Sequence, residues 1–247
     1  MGKKMAASNF KVLIFSATAA NGYRHASIPA GVAALRNLPQ AIPDCPFSTE
    51  ATEDASVFTT ESLARFAVIV LLQTAGDFLT TEQLGALQAF VRSGGGVVSI
   101  HCASTGMPSD QSGWYSRLVG AAFDMHPVPQ QGLVRVADAQ HPIIARSLGT
   151  GAGMQRNGDG KWEWDWFDEW YNFKARPSST VNVLLEVDEA SYSGGTHGKD
   201  HPIAWSQEFE GGRSFYTALG HFDAAYQDPG FMGQLRDAIL WTARVLE

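Results

Sequence analysis

The first half of the chain alternates two hydrophobic periods. "KVLIFS" (Lys11–Ser16) is a continuous apolar run of strand length, which predicts a strand buried on both faces. After the loop "ATAANGYRH", a helical stretch runs from about Ala26 to Leu38, with Pro29 acceptable in its first turn. "FAVIVLLQT" (Phe66–Thr74) predicts a second buried strand. "TTEQ" (Thr80–Gln83) reads as a capping box, and it opens a helix with Leu84, Leu87 and Val91 on one face. Gly94 to Gly96 close that helix, and "VVSI" (Val97–Ile100) is a third strand. Strands alternating with helices imply a parallel sheet with helices on both faces.

The second half is less regular. "GLVRVAD" (132–138) and "VNVLLEVDE" (181–189) read as strands, and "HPIAWSQEF" with "GRSFYTALG" as a strand pair turned at Glu210–Gly212. Gly149–Gly160 is an exposed loop. The last helix is capped by Asp228, opened by Pro229 and followed by Phe231, Leu235, Ile239, Thr242 and Leu246 at helical spacing. The whole chain, 1–247, is expected to be one domain with a core from about 11 to 243.

Charge narrows the classes. A net charge of -7, with no dense basic cluster beyond Lys3-Lys4, argues against nucleic acid or an anionic membrane as partner. The apolar run Val12–Phe15 is too short for a signal peptide. The two cysteines, Cys45 and Cys102, stand in no metal or redox spacing, so reduced thiols in a cytoplasmic protein are expected.

Candidate chemistry gathers at the expected strand ends, where α/β sheets bind ligands. His25 follows the first strand's loop, His101 follows "VVSI" and His221 follows "SFYTALG". In "GGGVVSIHCAST" a strand hands over to a tight turn of the nucleophile-elbow kind, which needs small residues two before and two after its apex. Centred on His101 these are Ser99 and Ala103. Centred on Cys102 they are the bulky Ile100 and Ser104, so His101 should hold the apex and Cys102 should point elsewhere. An imidazole there suits metal binding or acid/base work. Three such histidines, His25, His101 and His221, could share one zinc-like ion with an open water position.

"KWEWDWFDEWYNF" (Lys161–Phe173) interleaves rings with carboxylates. That pattern suits sugars, whose C–H faces stack while their hydroxyls hydrogen-bond. Packing is an equal alternative for Trp162 to Trp166, whereas Asp168, Glu169, Trp170 and Tyr171 are expected at a site. Each His-Pro pair reads as turn chemistry. Of these, His141 is taken as structural, and His126 and His201 as candidates for substrate contact.

Taken together, "YRHASIPAG", "ATEDASVFTTESL", "GGGVVSIHCAS", "WYSRLVGAAFDMHP", "DEWYNF", "DHPIAW" and "GRSFYTALGH" resemble the ThuA-like, or trehalose utilisation, family over residues 11 to 243. The resemblance implies a class I glutamine amidotransferase-like, flavodoxin-like α/β fold with a mostly parallel sheet. Amidotransferases place Cys at the elbow and a His-x-Glu pair after a late strand. Here His101 takes the elbow and His221-Phe222-Asp223 resembles the second element, so glutamine hydrolysis is not implied. The family's name and its association with sugar oxidoreductases imply a disaccharide or keto sugar as substrate. On that basis the expected function is a carbohydrate-directed hydrolase, lyase or isomerase, assisted by a divalent metal such as zinc and needing no nucleotide cofactor. His101 and His221 would bind metal or shuttle protons, and Glu169 or Asp168 would act as acid/base. Tyr23, Arg24, Tyr115 and Trp170 would hold the sugar. The alternatives are a sugar-binding or regulatory protein on a disabled amidotransferase scaffold and, against the steric argument at the elbow, a Cys102-dependent hydrolase. The expected partner is a small carbohydrate, with a homo-oligomer left open.

Overall fold

The computed structural model describes residues 9–41, 45–177 and 179–247, so Lys3 and Lys4 lie outside the described residues. In chain order the elements are β1 (Phe10–Phe15), α1 (Ile28–Asn37), β2 (Phe47–Thr52), α2 (Thr60–Leu63), β3 (Val68–Leu72), α3 (Thr81–Arg92), β4 (Gly96–Ile100), α4 (Trp114–Val119) and β5 (Phe123–Met125). They continue with β6 (Gln130–Val136), α5 (Pro142–Ala145), β7 (Gln155–Arg156), β8 (Trp162–Asp168), β9 (Asn172–Phe173), β10 (Asn182–Asp188), β11 (His201–Phe209), β12 (Gly212–Thr217) and α6 (Pro229–Thr242).

A ten-stranded sheet in the order β2-β1-β3-β4-β12-β11-β10-β6-β8-β7 runs through both halves of the sequence. Its first five strands are parallel. From β12 onward it continues as an antiparallel wing. The fold is the expected layered α/β class. β3 and β4 are buried at every position, as apolar strands covered on both faces must be.

Side-chain alternation shows where the helices lie. Gly96 of β4 and Arg213 of β12 are register partners and share a face. A Cβ on Gly96 would strike Thr242 of α6, and the Arg213 guanidinium stacks on Trp241 of the same helix. The neighbouring Gly212 abuts Val91 of α3, and Ser214 donates to the Leu118 carbonyl of α4. Thus α6 covers one face, and α3 with α4 covers the other.

Local chemistry sets several boundaries. The capping box forms as expected, with Thr80 Oγ1 accepting from the Gln83 amide and Gln83 reaching back to the Thr80 amide. Asp228 caps α6. That helix stops at Thr242 rather than running on to Leu246, because Arg244 turns into the left-handed region at φ 58°. β3 ends at Leu72, where Gln73 takes φ 50°. Within the Gly149–Gly160 loop, Gln155–Arg156 form the short strand β7 and the Ala152 amide is pinned to the Asp228 carboxylate. The aromatic run Trp162–Asp168 is a strand, and its Trp164 packs in the core, so packing accounts for that ring. His141 is structural, capping α5 through Nδ1 and meeting Ser206 through Nε2.

Candidate active site at the carboxyl edge of the sheet

β1, β3, β4 and β12 are neighbours in the sheet, and their carboxyl ends deliver the chemistry. His25 comes from the β1–α1 loop, His101 directly follows β4, and His221 follows β12. Glu169 reaches the same point from the other wing, one residue past β8.

His101 is the apex of the turn. Its φ is 55°, and its flanking residues Ser99 and Ala103 are small and fully buried. Its Nδ1 lies 2.6 Å from the Ala218 carbonyl oxygen. Only an N–H can face a carbonyl at that distance, so Nδ1 carries the proton and Nε2 presents a lone pair. That Nε2 lies 3.1 Å from the Tyr171 hydroxyl, 3.2 Å from His221 Nδ1 and 3.4 Å from Glu169 Oε2. Glu169 Oε2 is also 3.0 Å from His221 Nδ1, while its Oε1 faces His126 Nε2 at 3.5 Å. The His25 ring stands edge-on to His101 and His221, with centroids 4.8 and 5.0 Å away. One donor atom from each of His25, His101, Glu169 and His221 lies within 4.8 Å of the other three.

The charge states follow from the surroundings. Burial, reinforced by His101 and His221, brings the His25 pKa down to about 3, so its imidazole is neutral. Burial alone would raise Glu169, but its contacts with the His101 and His221 rings outweigh it and hold the carboxyl well below the usual range. Burial pushes the Cys102 thiol and the Tyr171 phenol up, so both keep their protons. The cluster is therefore three imidazoles gathered around one carboxylate.

A cavity of about 350 Å³ opens beside it. Its wall includes His25, Glu169, Tyr171 and Cys102, and its mouth Tyr23, Thr105, Phe123 and His126. Tyr23 is 71% exposed. His101 is fully buried behind Glu169 and Tyr171 rather than on the cavity surface. Larger open depressions elsewhere, such as that beside Arg36 and Glu50, hold no comparable cluster among the described residues.

Several expected contacts are corrected. Cys102 does not point away: its Sγ lies 3.2 Å from His25 Nδ1 and borders the cavity. Tyr115 is 1% exposed and donates to the Ala103 carbonyl beneath the elbow, so it supports the turn instead of touching a sugar. Trp170 is also 1% exposed, with Nε1 bound to the Gln130 carbonyl and its ring against Gly132, where a Cβ would come within 2.6 Å. Arg24 is paired with Glu53 at 2.7 Å, away from the cavity wall. His201 is fully buried among Glu189, Tyr192 and the Tyr171 carbonyl, and so holds the Tyr171 backbone from behind. Asp168 turns both oxygens to N–H donors and none to the cavity. Thr105 and Phe123 are cavity residues the sequence reading missed. Thr105 could have been placed from its position one turn after His101, whereas Phe123 carries no such signal.

The model of the family described as ThuA: Trehalose utilisation matches residues 11–242. The chain belongs to the ThuA family. Among solved structures it resembles a ThuA-like protein from Bacteroides uniformis, at 24% identity and TM-score 0.74, covering 98% of this chain and 94% of that one. A ThuA-like protein from Parabacteroides merdae follows at 18% identity and TM-score 0.71, with 96% and 90% covered. A protein from Salmonella typhimurium described as cytoplasmic has 11% identity and TM-score 0.58, with 94% and 99% covered. At these identities the ThuA fold is what is shared. No curated protein matches this ThuA chain. No described helix is long and apolar enough to cross a membrane.

Proposed function

We propose that this ThuA-family chain is a carbohydrate-processing enzyme in which a divalent metal such as zinc, held by His25, His101, His221 and Glu169, assists its reaction. The reaction is a hydrolase, lyase or isomerase step on a disaccharide or its keto-sugar derivative. The observation that carries this reading is the convergence of three imidazoles and one carboxylate within 4.8 Å at the carboxyl edge of the sheet. The N/O donor set suits zinc and similar ions. The His101 N–H held by Ala218 fixes the tautomer a ligand needs, as outer partners of metal-bound histidines do. A bound metal would supply polarisation of a carbonyl or hydroxyl oxygen.

The chain's own residues do the rest. His126 donates Nδ1–H to the Pro127 carbonyl and turns Nε2 towards the cavity, where its lone pair can accept a proton from a substrate hydroxyl. Tyr171 O–H offers a donor at the cavity wall, and Tyr23 a ring against which a sugar face can stack. The family's description, trehalose utilisation, supports the substrate class. A small carbohydrate is then the partner, without nucleic acid, membrane or nucleotide, in a cytoplasmic protein whose whole chain acts as one unit.

The test is elemental analysis of untagged protein, with a screen of disaccharides and their keto forms before and after chelation. Stoichiometric metal and chelator-sensitive turnover, both abolished in His101→Ala, support the reading. Sugar binding without turnover in any metal state would favour the sugar-binding alternative, to which the imidazole at the elbow, where amidotransferases keep a nucleophile, already lends weight.

A further inference from the structure

We propose that Asp168 is the positioning residue of this site, one buried carboxylate that sets Glu169 and His221 relative to each other. The inference rests on the metal reading above. Three strands, β11, β10 and β6, separate β12 from β8 in the sheet. No ladder hydrogen bond therefore fixes the distance between the residues that follow β8 and β12. Asp168 supplies the missing link. Its Oδ1 accepts from the Glu169 amide at 2.9 Å and the His221 amide at 3.2 Å. Its Oδ2 accepts from the Gly220 amide and the Trp166 indole, both at 2.9 Å. Asp168 is fully buried, so no water replaces any of these bonds.

The other polar atoms of the turn are held as well. Gln73 donates to the Gly220 carbonyl and Ser27 to the His221 carbonyl, each at 2.6 Å. Gly220 takes φ 112°, a conformation open to glycine, and this turn aims His221 back at His101. Every main-chain N–H and C=O of Gly220 and His221 is thus taken by a buried side chain from a distant part of the sequence. Asp168 alone among these clamps also holds Glu169. A carboxylate with its acceptor positions filled by N–H donors has no free position for a reacting proton. Its contribution is geometric, and a half-ångström error at either ligand is what it prevents.

Asp168→Asn keeps the shape but replaces one oxygen with an NH₂ that meets amide donors. Zinc affinity, measured on the full chain by competition with a chromophoric chelator, should fall on the order of 10- to 100-fold, as when other outer partners of metal ligands are removed. Hydrogen exchange at the amides of Glu169, Gly220 and His221 should accelerate. Leu63→Ala, a core truncation in α2 remote from the site, serves as the stability control and should lower the Tm while leaving zinc affinity at the parent value. If Asp168→Asn does not fold, Trp166→Phe removes one donor alone and should weaken zinc binding in the same direction. Parent-like zinc affinity in a folded Asp168→Asn, or in Trp166→Phe when only that variant folds, overturns the proposal. So does an equal affinity loss in Leu63→Ala. If the parent itself binds no zinc, the metal reading fails separately. Asp168 is then judged by the three amides and the imidazole resonances of His101 and His221, and if these are unchanged in Asp168→Asn the proposal falls.

Discussion

Replacing Glu169 with Gln removes one negative charge and almost nothing else. The carboxylate is buried against His221 Nδ1 at 3.0 Å and His101 Nε2 at 3.4 Å, so the isosteric amide fits the same space. Without metal the amide oxygen still accepts from an imidazole N–H, and the Tm should change little. With metal the change is large. A unit charge about 4 Å from another is worth roughly 4 kcal/mol at an effective dielectric of about 20. Taking between half and all of that, about 2 to 4 kcal/mol, zinc affinity should fall by roughly 30- to 700-fold. The readout is chelator competition at constant pH and salt, with the Tm recorded on the same samples. A folded Glu169→Gln protein that binds zinc as tightly as the parent would refute the assignment of Glu169 as a ligand.

Three further outcomes are expected. Trp170→Ala should lower stability by about 3 to 5 kcal/mol in denaturant titrations, the range for a truncated core aromatic; a loss of sugar binding at parental stability would contradict its placement in the core. His141 is held below the ordinary histidine value of 6.5, first by burial, so its folded form favours the neutral ring. Its contribution to stability is complete above about pH 6.5 and is lost as the pH falls below that value, because the unfolded chain then binds the extra proton; His141→Asn should flatten the stability profile between neutral pH and pH 5, and an unchanged slope would count against it. Cys102 is buried with its thiol pushed up by burial, whereas Cys45 is partly exposed. One equivalent of a thiol reagent should therefore label the native protein, at Cys45, and rapid labelling of Cys102 would show that the elbow opens.

The parallel half of the fold was legible because its strands are apolar throughout and its helices carry caps. "KVLIFS", "FAVIVLLQT" and "VVSI" could hardly be anything but buried strands, and Thr80 with Gln83 marks a helix start by chemistry. β2, "FSTEAT", escaped notice because an edge strand can be largely polar. "WEWDWFD" was ambiguous because alternation of rings and acids reads equally as a strand or as a sugar platform, and burial of one face decides it. His25, His101 and His221 were legible as strand-end residues, and the small neighbours of His101 marked the elbow. What could not be read was which way each side chain leaves a short turn. Trp170 and Tyr171 are adjacent, yet one enters the core and the other meets His101. Cys102 was placed by sterics at the backbone alone, which fixes the apex but not the direction of the next side chain. Asp168 and Glu169 divide in the same way, one binding the main chain and the other facing the imidazoles.

The most direct measurement is zinc K-edge absorption on the protein loaded with one equivalent of zinc. Three imidazole ligands and one carboxylate oxygen should describe the spectrum, with the imidazole scattering reduced by one ring in His101→Ala. A sulfur contribution at about 2.3 Å would put Cys102 on the metal instead. A spectrum of zinc in water, unchanged by His101→Ala, would show that the four donors converge without binding a metal.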